Sequence, residues 1–354
     1  MSSTSVMRPP RRRLPLLPLG RRSPEPFFPD FPKTLRILIN GNLGYIGPVL
    51  IQHLRRVLPA ARLVGFDTGF FAGCLIDQRS FPEAMLDVQH FGDVRRLPAE
   101  VLEGVDVVIQ LAAISNDPMG NAFEGVTAEI NARAVVENAR RAKAAGAKTF
   151  VFASSCSVYG AGGEGAKSET SELNPLTAYA RSKIAAEQGL RPLGDAGFKI
   201  TCLRFATACG FSPRLRLDLV LNDFVASALS LGRIVILSDG TPWRPLIHVK
   251  DMARAMEWAI IRPAERGGTF LLLNVGSNQW NYQVKELADA VRAELGNVEI
   301  SINQQAAPDK RSYRVDFGLF ATLAPDHQPL ETLTSTVQGL VAGLKASGFN
   351  DPDF

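Results

Sequence analysis

With 354 residues, 46% hydrophobic and 21% charged, the chain has an ordinary globular composition, and no apolar run approaches the roughly 20 residues of a membrane span. The formal charge of +4 is misleading, because residues 1–33 hold seven Lys/Arg against two Asp/Glu. The remaining 32 basic and 33 acidic residues leave no basic surface for a nucleic-acid partner.

The Pro- and Arg-rich segment 1–33 reads as a disordered extension; a transit peptide would be an amphipathic helix, which its prolines oppose. From Leu35 on, short apolar runs alternate with helical periodicity. "LRILIN" (35–40) is a strand, a glycine turn follows, and "PVLIQHLRRVL" is a helix. "ARLVGFD" and "DVVIQLAA" (106–113) are further strands, the latter preceded by a loop with "GDVRR". A long helix is expected over about 121–145, then the strand "AKTFVFASS". "NPLTAYARSKIAAEQGL" is a helix opened by Asn174-Pro175, and "FKITCLRFAT" a strand. Beyond Thr207 come a helix near 216–231, the strand "RIVIL", a helix near 249–261, the strand "TFLLLNVG", then "YQVKELADAVRAEL" and "VEISI".

Strands alternating with helices predict an α/β fold, a Rossmann-like doubly wound parallel sheet with a smaller C-terminal substrate-binding lobe. The expected boundaries are 34–206 for the dinucleotide-binding domain, with a return around 234–262, and 207–233 plus 263–354 for the lobe. Cys74, Cys156, Cys202 and Cys209 show no C-x-x-C spacing, and the four histidines no H-E-x-x-H pattern. Neither a disulfide framework nor a metal site is expected, and a reducing cytoplasm is the simplest home.

"NGNLGYIGPVL" places Gly41, Gly44 and Gly47 between the first strand and the first helix, with Tyr45 and Ile46 inside the turn. Glycines there allow a tight turn and let backbone approach a pyrophosphate, whose charge the helix start meets. Asp67, twenty residues beyond Gly47, ends the second strand, where a carboxylate accepts hydrogen bonds from an adenosine ribose and repels a 2′-phosphate. NAD is therefore expected rather than NADP. Asp93 and Val94 are placed at the adenine edge, and Leu111, Ala112 and Ala113 beside the cofactor.

"YARSK" sets Tyr179 and Lys183 four apart on one helix face, with Ser155 ending the strand before them. A nearby ammonium and a positive nicotinamide would both lower the phenol from its usual value near 10, making Tyr179 a base near neutrality. Ser155 can hydrogen-bond the substrate hydroxyl. Together with "LAA" and "SSCSVYG", these motifs resemble the extended short-chain dehydrogenase/reductases, specifically the nucleotide-sugar epimerase/dehydratase family, from about Leu35 to Asp316. The resemblance implies an enzyme in which Tyr179, Lys183 and Ser155 oxidise a sugar hydroxyl to a ketone, with Tyr179 and Lys183 also touching NAD. It further implies a nucleoside-diphosphate sugar as substrate, no membrane partner, and a homodimer.

Carried over residue by residue, the resemblance puts Arg244 of "TPWRPLIHVKD" on the diphosphate, and Asn116 and Asn222 on the substrate side. Thr207 stands where many relatives carry an Asn that touches the diphosphate. Ala306 and Ala307 stand where an Arg often occurs, so Arg311 or Arg314, or else Arg214 or Arg216, is expected to take that role. The residues after Ser155 are Cys156, Ser157 and Val158, with no carboxylate, which disfavours dehydratase and decarboxylase chemistry and leaves epimerisation. A dehydratase or reductase of the same family, or an NAD-binding regulator without catalysis, are the alternatives. Cys156 has two readings, a proton carrier beside a keto group or a packed core thiol.

Overall fold

Parallel strands that run as unbroken apolar segments need cover on both faces, and the alternation of this sequence supplies it. The computed structural model describes residues 34–76, 81–161, 163, 165–303 and 311–349. The extension expected over 1–33 and the Ala306–Ala307 position lie outside the described residues.

In chain order the strands are β1 (Arg36–Asn40), β2 (Arg62–Asp67), β3 (Val88–Phe91), β4 (Val107–Gln110), β5 (Thr149–Ser155), β6 (Ala166–Lys167) and β7 (Lys199–Phe205). They continue with β8 (Thr207–Cys209), β9 (Arg233–Ile236), β10 (Trp243–His248), β11 (Phe270–Val275), β12 (Asn281–Gln283), β13 (Glu299–Ile302) and β14 (Arg314–Val315). Seven of them form one parallel sheet in the order β11-β7-β5-β4-β1-β2-β3, with helices packed against it. The fold is thus the Rossmann-like α/β arrangement expected. The strand order reverses between β1 and β4, and the crevice at such a switch point is where open α/β sheets take ligands.

One core lies between this sheet and its helices, with Leu38, Val108, Phe150 and Ile200 meeting Val135, Ala139 and Ala186. A second is built from Leu221, Val225, Ile234, Leu246, Leu287 and Leu340. Around it are small sheets: β8, β10 and β12 form one, and β9 pairs with β13.

Three sequence expectations are corrected. The chain returns to the large sheet with helix Val249–Ile261 and strand β11, which pairs along all of β7 from Ile200 to Phe205; Arg233–Ile236 instead joins β13. The helix Ala178–Leu190 starts after Thr177, whose hydroxyl accepts the Ala180 N–H at 3.2 Å, so Asn174-Pro175 lies before it. The single helix expected over 121–145 is broken into Asp117–Ala122, Glu124–Ala128, a π-helical turn Glu129–Arg133, and Ala134–Ala144.

Candidate active site

The glycine turn is fixed by close approach of backbone to backbone. Gly41 has φ +82°, and a Cβ on it would lie 2.3 Å from the Ala112 nitrogen. A Cβ on Gly47 would lie 1.9 Å from the Asn42 carbonyl oxygen. Gly44 differs: nothing stands nearer than 3.6 Å to its missing Cβ, so that side of the turn is open. The Leu111 and Ala112 N–H groups both donate to the Asn40 carbonyl, at 2.8 and 3.0 Å, which draws the end of β4 against the turn.

Helix Gly47–Val57 begins without a side-chain cap and without an acidic residue in its first turn, leaving N–H groups for an anion. The Asp67 carboxylate accepts the Leu43 N–H at 3.0 Å and the Gly69 N–H at 2.8 Å, bracing the turn from the end of β2. An open glycine, an uncapped helix start and a fixed carboxylate fit a dinucleotide with a free adenosine ribose. The Asp93 carboxylate is engaged by the guanidinium of Arg95 at 2.6 Å, while Val94 is buried and its carbonyl accepts from Asn138. Tyr45 donates to the Gly210 carbonyl at 2.6 Å, and Ile46 packs with it against Leu215 and Leu219, so these two join the turn to the 210–219 segment.

Strand β5 and the helix after it carry the candidate catalytic residues. Ser155 ends β5, and its hydroxyl accepts the Ser157 N–H at 3.1 Å. Tyr179 and Lys183 share one face of helix Ala178–Leu190, with the Lys183 Nζ 5.4 Å from the centre of the Tyr179 ring. Lys183 is 2% exposed, and its Nζ donates to the Ala153 carbonyl at 2.6 Å. Burial pushes that ammonium down to about 7.

The expected lowering of the phenol by Lys183 does not appear among the chain's own groups. Burial pushes Tyr179 up to about 12, Ser155 and Arg216 favour its phenolate, and Asp117 and Cys156 oppose it. Burial dominates both groups, raising the phenol and lowering the ammonium. One turn beyond Lys183, Glu187 takes the Arg204 guanidinium at 2.9 and 2.7 Å and the Ser154 hydroxyl at 2.5 Å, a buried network that fixes this helix on β5 and β7. Cys156 is fully buried, donates to the Arg204 carbonyl at 3.1 Å, and is pushed well up by burial. Its thiol points into the core.

Asn131 is a residue the sequence reading missed. It is fully buried in the π-helical turn, where its amide closes two 2.8 Å bonds with the Ile114 backbone and a 3.1 Å bond to the Ser182 hydroxyl. It thereby ties the loop after β4 to the helix carrying Tyr179. Its only sequence signal is a polar residue in an otherwise regular helix, since π-bulges often mark functional sites but have no motif.

On the far side of the crevice, polar side chains are paired with one another. Asn116 donates to Asp218 at 2.9 Å and caps helix Asp117–Ala122. Arg311 meets Asp117 at 3.2 Å. Thr207 lies half-buried in β8, opposite Leu246 of β10. Arg244, in β10, donates to the Trp243 carbonyl at 2.9 Å. Asn222 is corrected from substrate contact to brace: it is fully buried, and its amide is consumed by the Gly210 N–H at 2.9 Å and the Arg216 carbonyl at 3.0 Å. Arg214 is corrected likewise, being buried on the Phe71 and Ala72 carbonyls and Glu83. Arg314 stacks on Trp243. Arg216 bonds Ser115 and Asp218. Among the described residues no group of His, Cys, Asp and Glu is placed to hold a metal ion, and no helix is long and apolar enough to cross a membrane.

Comparison with known proteins is consistent along most of the chain. Residues 37–276 match the model of the NAD dependent epimerase/dehydratase family. An uncharacterized UDP-glucose epimerase of Bacillus subtilis is 29% identical over 250 residues, 68% of this chain and 77% of that protein. A dTDP-glucose 4,6-dehydratase of Streptomyces griseus is 26% identical over 80% of this chain and 86% of its own length. Among solved structures, MoeE5 in complex with UDP-glucose and NAD superposes with a TM-score of 0.73 at 25% identity, covering 88% of this chain and 99% of that one.

Proposed function

Because the chain belongs to the NAD dependent epimerase/dehydratase family, we propose that it is a nucleotide-sugar epimerase working through a transient keto-sugar. It is an NAD-dependent protein, and NAD, when bound, supplies a hydride acceptor that later returns the hydride. Gly41, Gly44, Gly47 and Asp67 would hold the dinucleotide, with Lys183 toward its nicotinamide end. Tyr179 takes the proton of the sugar hydroxyl as the carbon is oxidised, and gives it back when the carbonyl is reduced from the other face. Ser155 holds the substrate oxygen throughout. Arg244 meets the diphosphate of the nucleotide sugar, for which a guanidinium fork is suited.

The observation that supports epimerisation over dehydration is the run of three residues after Ser155. Eliminating water beside a new ketone needs a second acid and base there. Cys156 is instead buried on the Arg204 carbonyl with its thiol pushed up, and Ser157 and Val158 carry no carboxylate. This favours a simple cycle in which the oxidised carbon itself is the one inverted. The homodimer and the cytoplasmic setting expected from the sequence belong to the same proposal, and sedimentation of the purified protein checks the first.

The test is proton NMR of a panel of nucleotide sugars, UDP-sugars first, in deuterated water with the purified protein and NAD. Inversion at one carbon without solvent deuterium in the ring is expected. A dehydrated keto-deoxy product would replace the epimerase reading with the dehydratase one. Deuterium next to the carbonyl carbon in wild type, but not in Cys156→Ser, would instead restore Cys156 as a proton carrier.

A further inference from the structure

The segment after β8, residues 210–218, packs on the second core through Phe211, Leu215 and Leu217 and is tied to the loops that end three strands of the large sheet. To the turn after β1 it is tied by Tyr45, whose hydroxyl donates to the Gly210 carbonyl at 2.6 Å, and by Ser212, whose hydroxyl donates to the Tyr45 carbonyl at 2.7 Å. To the loop after β4 it is tied by Arg216, which donates to the Ser115 hydroxyl at 2.9 Å, and by Asp218, which accepts from Asn116 at 2.9 Å. In the sheet β1 lies between β2 and β4, and the third tie, made by Arg214, reaches the chain after β2. The segment thus forms a bar across the switch point.

Arg214 is 3% exposed, and its guanidinium is spent on the chain after β2. Nε donates to the Phe71 carbonyl at 2.9 Å, Nη2 to the Ala72 carbonyl at 3.1 Å, and Nη1 pairs with the Glu83 carboxylate. Beside it the Ile76 N–H donates to the Pro213 carbonyl at 3.0 Å. None of residues 68–76 is buried, and Phe70 is 85% exposed, so this stretch has no apolar core of its own to hold it. A segment with so little burial opens locally at small cost unless polar ties fix it. It leaves directly from Asp67, the carboxylate that braces the glycine turn through the Leu43 and Gly69 N–H groups.

We propose that Arg214 is the latch of the dinucleotide site, a positioning residue that clamps residues 71–76 to the 210–218 bar and so sets how fast NAD enters and leaves. The other two ties are anchored on buried or paired groups: Tyr45 is buried, and Arg216 is itself forked onto Asp218 at 3.0 and 2.7 Å. The Arg214 tie holds an otherwise exposed stretch, so it is the one whose release opens a path beside Asp67. Arg214 touches the cofactor nowhere in this scheme; it acts through the backbone it holds.

This rests on reading the glycine turn and Asp67 as the NAD site, and the experiment separates the two. Purified protein loaded with NADH is mixed with excess NAD in stopped flow, and loss of bound NADH fluorescence gives the dissociation rate. Calorimetry gives the affinity, and the two together the association rate. Arg214→Gln is expected to speed dissociation about ten- to a hundredfold, the worth of a lost hydrogen bond to a charged group. Association should quicken with it, so that affinity changes less than either rate. Glu83→Gln, which only loosens the latch, should shift both rates the same way by less, and it decides the matter if Arg214→Gln fails to fold. A site that is merely damaged loses affinity without binding faster. Wild-type rates in the folded variants, or faster dissociation without faster association, would overturn the latch. Asp67→Ala tests the reading beneath: it should weaken NAD without quickening association. If Asp67→Ala leaves NAD affinity unchanged, the dinucleotide lies elsewhere and the latch falls with it. If Asp67→Ala weakens NAD while both latch variants exchange like wild type, the latch alone is wrong.

Discussion

The two banks of the crevice are built by different means. On the dinucleotide side, shape comes from missing side chains: Gly41 and Gly47 let Ala112 and Asn42 backbone pass at distances no Cβ tolerates, while Gly44 leaves an opening. On the side proposed for the sugar, shape comes from charged and polar side chains that satisfy one another over long separations, such as Asn116 with Asp218 and Arg311 with Asp117. The first kind of wall is rigid and nearly indifferent to which ligand it meets. The second can be altered residue by residue, which is how one fold serves many substrates.

Tyr179 sits where the banks meet and should show the largest effect. Tyr179→Phe is expected to cut turnover by about 10²–10⁴-fold, the usual worth of a positioned acid/base, with circular dichroism and NAD affinity nearly unchanged. An active Phe variant would detach both banks from the chemistry proposed.

The dinucleotide side is sharpened by contrasting two glycines. Gly41→Ala forces a left-handed residue and drives a methyl into the Ala112 backbone, and should lower stability by about 3 kcal/mol in denaturant unfolding. Gly44→Ala should cost less than about 0.5 kcal/mol in stability yet weaken NAD binding by calorimetry. Equal effects at the two positions would mean that the open side of the turn is not where the pyrophosphate lies.

On the sugar bank, Arg244→Ala is expected to weaken a nucleoside-diphosphate sugar by about 1.5–3 kcal/mol, the range for a hydrogen bond to a charged group, leaving NAD affinity alone. A change in both would erase the distinction between the banks.

A smaller effect than that at Arg244 lies behind the dinucleotide bank, where Glu257 accepts from His53 at 2.6 Å and joins helix Gly47–Val57 to helix Val249–Ile261. Burial alone would raise this carboxyl, but hydrogen bonds and charge from His327 and His53 hold it down, from 4.5 to about 2. A carboxylate lowered in the folded state contributes stability that is complete above its unfolded value and lost as pH falls. Thermal unfolding of Glu257→Gln should therefore differ from wild type by about 1 kcal/mol at neutral pH. That difference should shrink between pH 4.5 and about 2. A gap that stays constant with pH would exclude the titration as its source.

This contrast also governs what could be read from the sequence. Glycine spacing, the apolar strands and the four-residue step from Tyr179 to Lys183 are local patterns, and each marks its element directly. The partners of the sugar bank lie roughly a hundred residues or more apart, as Ser115 and Arg216 do, so nothing local announces them. The resemblance puts Asn222 on the substrate side, and only the fold reveals that Gly210 and Arg216 use its amide up. Asn131 escaped notice because a π-turn changes which way one helix residue faces without altering composition. Strand β11 was assigned to the lobe because chain order suggested it, whereas its apolar side chains complete the edge of the large sheet.

The most direct measurement follows one hydrogen. With the nucleotide sugar identified by the NMR panel, deuterated at the carbon that inverts, the purified protein and NAD in ordinary water should return the epimer with its deuterium still in place. Tyr179→Phe should return neither epimer nor exchange. Retention means that the hydrogen travelled as a hydride between the sugar and NAD while Tyr179 handled only the hydroxyl proton. Replacement of that deuterium by solvent hydrogen during inversion would contradict the hydride cycle and assign the step to proton transfer at carbon.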